Sequence, residues 1–261
     1  MKKKTLVNLL VFVLFLVSSA LVSAAPRKVV VGIGNAFKPY CYLDDKGNIA
    51  GYEYEILKEV DKLLPQYEFE YQPQEFKTIL LGLAAGKVDL GAHQFEVNPD
   101  RQAKFLFATE SYTNFILRIT TLKKRTDIKG IADLHGKKVQ VGQGSNDAWT
   151  LEQYNKKNNN AINLVYTTGS KDALTIKNLE EGRVDAFVSI KRIVDSLNKQ
   201  FGNKLKTVGE PIAKSNTYYV YRKDDSQLQK DVDGALKTLK KNGTLAKLSI
   251  KILGGDYTAN E

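Results

Sequence analysis

An eight-residue pattern occurs twice in the chain. Leu83-Ala-Ala-Gly86-Lys87-Val88-Asp89-Leu90 returns as Leu179-Glu-Glu-Gly182-Arg183-Val184-Asp185-Ala186. Each copy reads as a helix end, a glycine able to close the helix in the left-handed conformation, and the opening of a buried strand. The same helix-to-strand unit in two places implies two α/β lobes built alike, with their strand ends facing a shared cleft. A match this short is not decisive alone, so the flanking segments carry the weight.

The first copy leads into 89–112, DLGAHQFEVNPDRQAKFLFATESY. A buried strand is expected over 88–92, then a polar loop over 93–100. That loop delivers Arg101 before a second apolar run at 105–108. Ligands of open α/β sheets bind outside the carboxyl ends of strands. An arginine there offers a planar fork that takes a carboxylate in two parallel hydrogen bonds. The competing reading is a surface charge paired with Asp100 or Glu110.

The rest of the chain alternates strands and helices. The run 28–33 (KVVVGI) has the unbroken β-branched character of a strand buried on both faces. Gly32-x-Gly34 after it is not a dinucleotide fingerprint, because Phe37 stands at the third glycine and Pro39 disfavours a helix interior. What remains is a loop carrying Phe37, Tyr40 and Tyr42, aromatics that either enter the core or wall a pocket. Ile56, Leu57, Val60, Leu63 and Leu64 share one helical face that Pro65 closes. Phe76, Ile79, Leu80 and Leu83 mark another helix. In the second half, strand 138–141 runs into Gly142-Gln143-Gly144-Ser145-Asn146-Asp147 and a helix over about 147–157. Such a turn exposes backbone N–H groups to an anion, although it lacks the lysine of a P-loop and a plain tight turn also accounts for it. Strands at 163–167 and 184–188 and a helix over 191–201 follow. Two separate short strands are expected at 205–208 and 217–222, then helices over 226–242 and 244–252.

Composition narrows the function classes. With 43% hydrophobic and 26% charged residues, the chain supports one or two globular cores and not disorder. Lys2–Lys4, an apolar stretch over 6–17 and Val22-Ser23-Ala24 form the pattern of a cleaved secretory signal peptide over 1–24. The apolar stretch is short for a membrane span of roughly 20 residues. The only cysteine, Cys41, lies far from that leader, which points to a free periplasmic protein without a lipid anchor. One cysteine and two histidines exclude Cys-based metal frameworks and disfavour zinc, so no metal and no cofactor is expected. The net charge of +10 includes the leader's lysines. The remaining basic residues are scattered, without the clustered, aromatic-interleaved stretch that nucleic-acid binding calls for.

The landmarks together resemble the extracytoplasmic solute-binding proteins, family 3, of ABC importers for polar amino acids. Those landmarks are Phe37-Lys-Pro-Tyr40, Gly51-Tyr-Glu-Tyr-Glu55, Gly86-Lys-Val-Asp89, Asp100-Arg101, Phe105-Leu-Phe-Ala-Thr, Asp133-Leu-His-Gly136, Gln143-Gly144-Ser145, Gly182-Arg-Val-Asp185 and Lys251-Ile-Leu-Gly254. The loop around His93-Gln-Phe-Glu96 is similar to the cystine-binding branch. The resemblance implies an α/β, two-lobe, type II periplasmic-binding-protein fold with two crossover hinge strands near 111–115 and 213–217. Lobe I would be 25–112 plus 217–261, and lobe II 115–213. It further implies a monomeric importer subunit that traps a polar amino acid by hinge closure and hands it to a permease in the inner membrane.

The implied ligand-binding set is Phe37, Tyr40, Gln94, Phe95, Glu96, Arg101, Ser145 and Asn146. Phe37 would lie over the ligand side chain and Arg101 would grip the α-carboxylate. Ser145 and Asn146 would complete the carboxylate's shell, and Gln94 and Glu96 would take the α-ammonium or line the pocket. One departure matters: the family usually has an aspartate for the ammonium where this chain has Ile190. Glu96 is the expected substitute. Two alternatives stand beside the importer reading. One is a cyclohexadienyl dehydratase-like enzyme acting on prephenate or arogenate, with Glu96 as its acid. The other is a sensory binding protein.

Overall fold

The computed structural model describes residues 25–168 and 172–258; the leader expected over 1–24 lies outside the described residues. The first apolar run forms β1 (Arg27–Gly34), whose interior is buried on both faces as its composition requires. A small antiparallel sheet follows, β2 (Ala36–Phe37), β3 (Cys41–Leu43) and β4 (Ile49–Ala50). Helix α1 (Tyr52–Leu63) buries Ile56, Leu57 and Val60, each contributing about 1.5–3 kcal/mol relative to exposure. β5 (Tyr67–Gln74) and α2 (Phe76–Ala84) lead to β6 (Leu90–Glu96), α3 (Pro99–Lys104) and β7 (Leu106–Phe107). β8 (Thr113–Leu122) leaves this half.

The second half comprises β9 (Lys138–Gly142), α4 (Asn146–Lys157), β10 (Asn163–Thr167), α5 (Asp172–Glu180), β11 (Ala186–Ile190) and α6 (Lys191–Phe201). β12 (Leu205–Tyr221) returns to the first half, where α7 (Ser226–Lys241) and α8 (Thr244–Leu253) precede a short C-terminal segment. The principal strands run in the order β10-β9-β11-β8-β12-β6-β1-β5. β1 pairs in parallel with β5 and β6, and β9 pairs in parallel with β10 and β11. The long antiparallel pair β8–β12 joins the two halves, with Thr113 opposite Thr217 and Phe115 opposite Ser215.

Two expectations are corrected here. The separate strands at 205–208 and 217–222 are one strand, because β8 pairs on both sides of an irregularity between Val208 and Ala213. Gly209 and Pro211 look like a break in the sequence, but the partner strand carries the chain across them. Likewise the polar loop over 93–100 is mostly ordered structure. β6 runs on to Glu96 because β12 supplies antiparallel partners for Phe95 and Glu96. Asn98 then caps α3 by accepting the Arg101 backbone N–H at 2.9 Å.

The repeated pattern is the same device in both halves. Gly86 and Gly182 have φ of 67° and 69°, where a side chain would be strained. Asp89 accepts the Val30 N–H and its own N–H donates to Val30 C=O. Asp185 does the same with Lys138. Each aspartate therefore clamps the incoming strand to the first parallel strand of its half.

Candidate functional site

The carboxyl ends of β1, β6, β9, β10 and β11 meet around a cavity of about 650 Å³. Phe37, Phe76, His93, Gln94, Glu96 and Arg101 face it from the first half. Gly142, Ser145, Asn146, Asp147, Thr167, Val188 and Ile190 face it from the second, with Phe115 on the crossing strand. Placement at strand ends follows from parallel topology, since those ends are where loops and helix starts converge.

Arg101 is only 6% exposed, yet no carboxylate among the described residues forms an ion pair with it. Asp100 instead accepts from Trp149 Nε1, and Glu110 pairs with Lys237 and Lys240, which removes the surface-charge reading. The guanidinium sits 5.4 Å from the Phe76 ring centroid and 5.7 Å from that of Phe95. Its Nη1 donates to Glu96 C=O at 2.7 Å, and its Nη2 to Gly144 C=O at 2.9 Å across the cavity. Burial pulls its pKa down to about 10, partly opposed by Glu96 and Asp147. It stays charged at neutral pH and is oriented by groups that do not neutralise it, a state suited to receiving a ligand anion.

Glu96 is equally buried. The Ser215 hydroxyl and Asn146 Nδ2 both donate to its Oε1 (the amide at 3.1 Å), and among the described residues no donor reaches Oε2. Burial pushes its pKa up to about 7, with Ser215, Arg101 and Asn146 opposing and Asp147 adding to the rise. Such a carboxyl gains strongly from a cationic partner.

Ser145 caps α4, accepting the Ala148 N–H at 3.4 Å and donating to Gly142 C=O at 2.6 Å. Asn146 joins the halves, accepting from Asn98 Nδ2 at 3.4 Å while it donates to Glu96. Gln94 has φ of 51° in a bulged part of β6, and Glu53 Oε1 holds its N–H at 2.7 Å. Its Oε1 accepts from Thr217, and its buried Nε2 has no protein partner among the described residues.

Six of the eight expected residues therefore line the cavity, and two do not. Phe95 points into the core against Phe76, because strand neighbours alternate faces and Gln94 and Glu96 take the cavity side. Tyr40 is fully buried behind Phe37, its ring stacked at 4.9 Å and its hydroxyl bonded to Arg192. Sequence reasoning missed His93 and Asp147. His93 stacks on Phe37 at 5.4 Å, and burial lowers its pKa to about 4, so it serves as a neutral aromatic. Gly34 makes room for that ring, since a Cβ there would lie 2.4 Å from it. Asp147 sits in the first turn of α4, where acids are favoured, and burial raises its pKa. Its place beside Ser145 was the available signal.

Residues 29–255 match the family described as bacterial extracellular solute-binding proteins, family 3. This chain belongs to that family. It is 38% identical over 270 residues, the whole of both chains, to the L-cystine-binding protein TcyK of Bacillus subtilis (strain 168). Among solved structures it resembles a putative L-cystine ABC transporter protein from Listeria monocytogenes, at 40% identity, 89% of this chain, 98% of that one and a TM-score of 0.84. It also resembles a Streptococcus mutans structure from work on glutathione import via GshT and the cystine ABC importer TcyBC, at 32% identity, 90% and 98% coverage and a TM-score of 0.82. The fold is the type II periplasmic-binding-protein fold. These relatives agree with the importer-subunit expectation and not with the dehydratase alternative. The family is extracytoplasmic, and no described helix is long and apolar enough to cross a membrane.

Proposed function

We propose that this protein is the extracytoplasmic substrate-binding subunit of an ABC importer and that its ligand is L-cystine or a closely related polar amino acid. The observation that carries the reading is Arg101, a buried cation held by neutral carbonyls from both halves and facing the cavity. It takes the α-carboxylate, with the Ser145–Asn146 turn completing the shell. Glu96 takes the α-ammonium, replacing the aspartate that Ile190 displaces. Phe37, His93 and Phe115 give the ligand's central part an apolar, polarisable wall, which suits sulfur. The names of the relatives support the choice of cystine among amino acids.

In this reading the lobes are 25–112 with 217–261 and 115–213, and they swing about the paired segments near Thr113 and Thr217. The protein works as a monomer, delivers ligand to a permease, binds no nucleic acid and catalyses no reaction. Cys41 is a buried free thiol, and in this reading the protein is free in the periplasm.

The test is mass spectrometry of whatever ligand the purified protein releases on denaturation, followed by calorimetry with L-cystine. Binding of L-cystine that Arg101→Ala abolishes supports the reading. Failure to bind any amino acid, or turnover of prephenate or arogenate, overturns it.

A further inference from the structure

Helix α6 breaks a local rule. Its first turn contains Lys191 and Arg192 and no acid, at the end where the helix dipole disfavours cations. Lys191 is exposed and pairs with Asp195. Arg192 has no carboxylate partner among the described residues, so its placement has to be compensated elsewhere.

The compensation comes from the Tyr40 loop of the first half, the crossing strand β8 and the C-terminal segment. Arg192 Nε bonds the Tyr40 hydroxyl. Nη1 donates to Asn114 Oδ1 at 3.2 Å, and Nη2 to Asn114 C=O at 2.5 Å and to Thr113 Oγ1 at 3.5 Å. Three rings surround the guanidinium: Tyr257 at 4.5 Å, Phe115 at 5.3 Å and Tyr40 at 5.5 Å. Tyr257 belongs to the C-terminal segment, and its C=O accepts the Asn114 N–H. One side chain from α6 thus gathers the Tyr40 loop, the crossing strand β8 and the C-terminal segment.

Those contacts lie behind the ligand wall. Tyr40 backs Phe37, and its ring meets Phe115 edge-on at 5.7 Å. Phe37 and Phe115 both line the cavity, as do Ile190 and Ile193 on either side of Arg192. Rotation of the second half away from the first would carry Arg192 off Tyr40. The charge-assisted bond to Tyr40 and the ring contacts with Tyr40 and Tyr257 would then be lost together, and Tyr40 would back Phe37 without the anchor of its hydroxyl.

We propose that Arg192 is an interlobe clasp, a positioning residue that acts through Tyr40 on Phe37 and sets how long the closed protein retains its ligand. The ligand part of this rests on the proposed function; the clasp itself rests on Arg192 and its partners. In this chain a direct protein contact beside position 190 does part of the work of holding the lobes together.

The single tryptophan, Trp149, gives a reporter, because its Nε1 donates to Asp100 across the cleft at 3.2 Å. Stopped-flow Trp149 fluorescence with L-cystine would follow association and release in wild type, Tyr40→Phe, Arg192→Lys and Arg192→Met. Release is expected to be roughly tenfold faster in Tyr40→Phe and Arg192→Met, with association changed less than about twofold. Arg192→Lys, a point charge that reaches fewer acceptors, should fall between them and wild type. Tyr40→Phe removes one hydroxyl and keeps the ring, so it remains informative if Arg192→Met fails to fold. Unchanged release in a folded Tyr40→Phe protein overturns the proposal. If wild type binds no L-cystine or other amino acid, the function reading fails and the clasp is judged by solution scattering. A larger radius of gyration for Arg192→Met or Tyr40→Phe than for wild type then supports it, and identical values overturn it.

Discussion

The two copies of the Gly-x-Val-Asp unit begin alike and end differently. In both, a left-handed glycine closes a helix and an aspartate clamps a new strand to the first strand of its half. Beyond that point β6 bulges at Gln94, turns its polar residues to the cavity and delivers Arg101 through α3. β11 keeps an apolar end, Val188 and Ile190, and passes directly into α6 with Arg192 in its first turn. One unit therefore supplies charges that face the cavity, and the other supplies an apolar wall and a cation facing protein. The scaffold is held by what the units share, and the chemistry sits in the few residues after they diverge.

The largest test of that division is Arg101→Ala. It should weaken L-cystine binding at least about a hundredfold by calorimetry, because it leaves a ligand carboxylate buried and unpaired. Arg101→Lys should rescue little, since an ammonium cannot reproduce the two-pronged fork. Binding retained in either variant would mean that the first unit does not carry the carboxylate site.

Asp89→Ala and Asp185→Ala probe the shared part. Each should cost about 1–3 kcal/mol in denaturant unfolding, the effect of losing a hydrogen bond from a strand N–H to a charged group, with Asp185 at the lower end because the Lys138 N–H it accepts is exposed. Burial alone would raise the Asp185 pKa, but hydrogen bonds from Arg125 and the Lys138 N–H outweigh it and the pKa is lowered. Its contribution is therefore present above the unfolded value near 3.8 and is lost as pH falls through the lower folded value. Asp185→Ala should flatten that acid limb. A large cost at one aspartate and none at the other would break the equivalence of the halves.

Glu96 sharpens the contrast through pH. Its folded pKa, about 7, lies above the unfolded 4.5, so its contribution to stability is full below 4.5 and is lost as pH rises through about 7. Ligand ammonium should favour the ionised form. Binding should then tighten as pH climbs from about 6 to 8 and release protons near neutrality, measurable by calorimetry in buffers of different ionisation enthalpy. Glu96→Gln should weaken binding about tenfold and remove the proton release. Adding Ile190→Asp to it should restore part of the affinity by moving the counter-charge to the second unit. The smallest effect belongs to Lys191→Ala, whose exposed pair with Asp195 should contribute under about 0.5 kcal/mol.

Most of the fold was legible in the order of residues alone. The β-branched run of β1, the apolar face of α1 and the two glycine-ended helices are local signals, because backbone conformation and side-chain periodicity are set within a few residues. Arg101 was legible as a cavity residue because it follows a strand end, whereas Ser145 and Asn146 were placed at the cavity by the family resemblance. Three features depended on distant partners. Strand β6 extends to Glu96 only because β12 lies beside it, and β12 is unbroken only because β8 spans its irregularity. Phe95 and Tyr40 face away from the cavity, one through strand alternation after the Gln94 bulge and the other because Arg192 draws its hydroxyl inward. The charge state of Glu96 and the role of Arg192 were decided by burial and by contacts between residues far apart in the chain. Spacing cannot encode these, since desolvation and long-range hydrogen bonds exist only once the chain has packed.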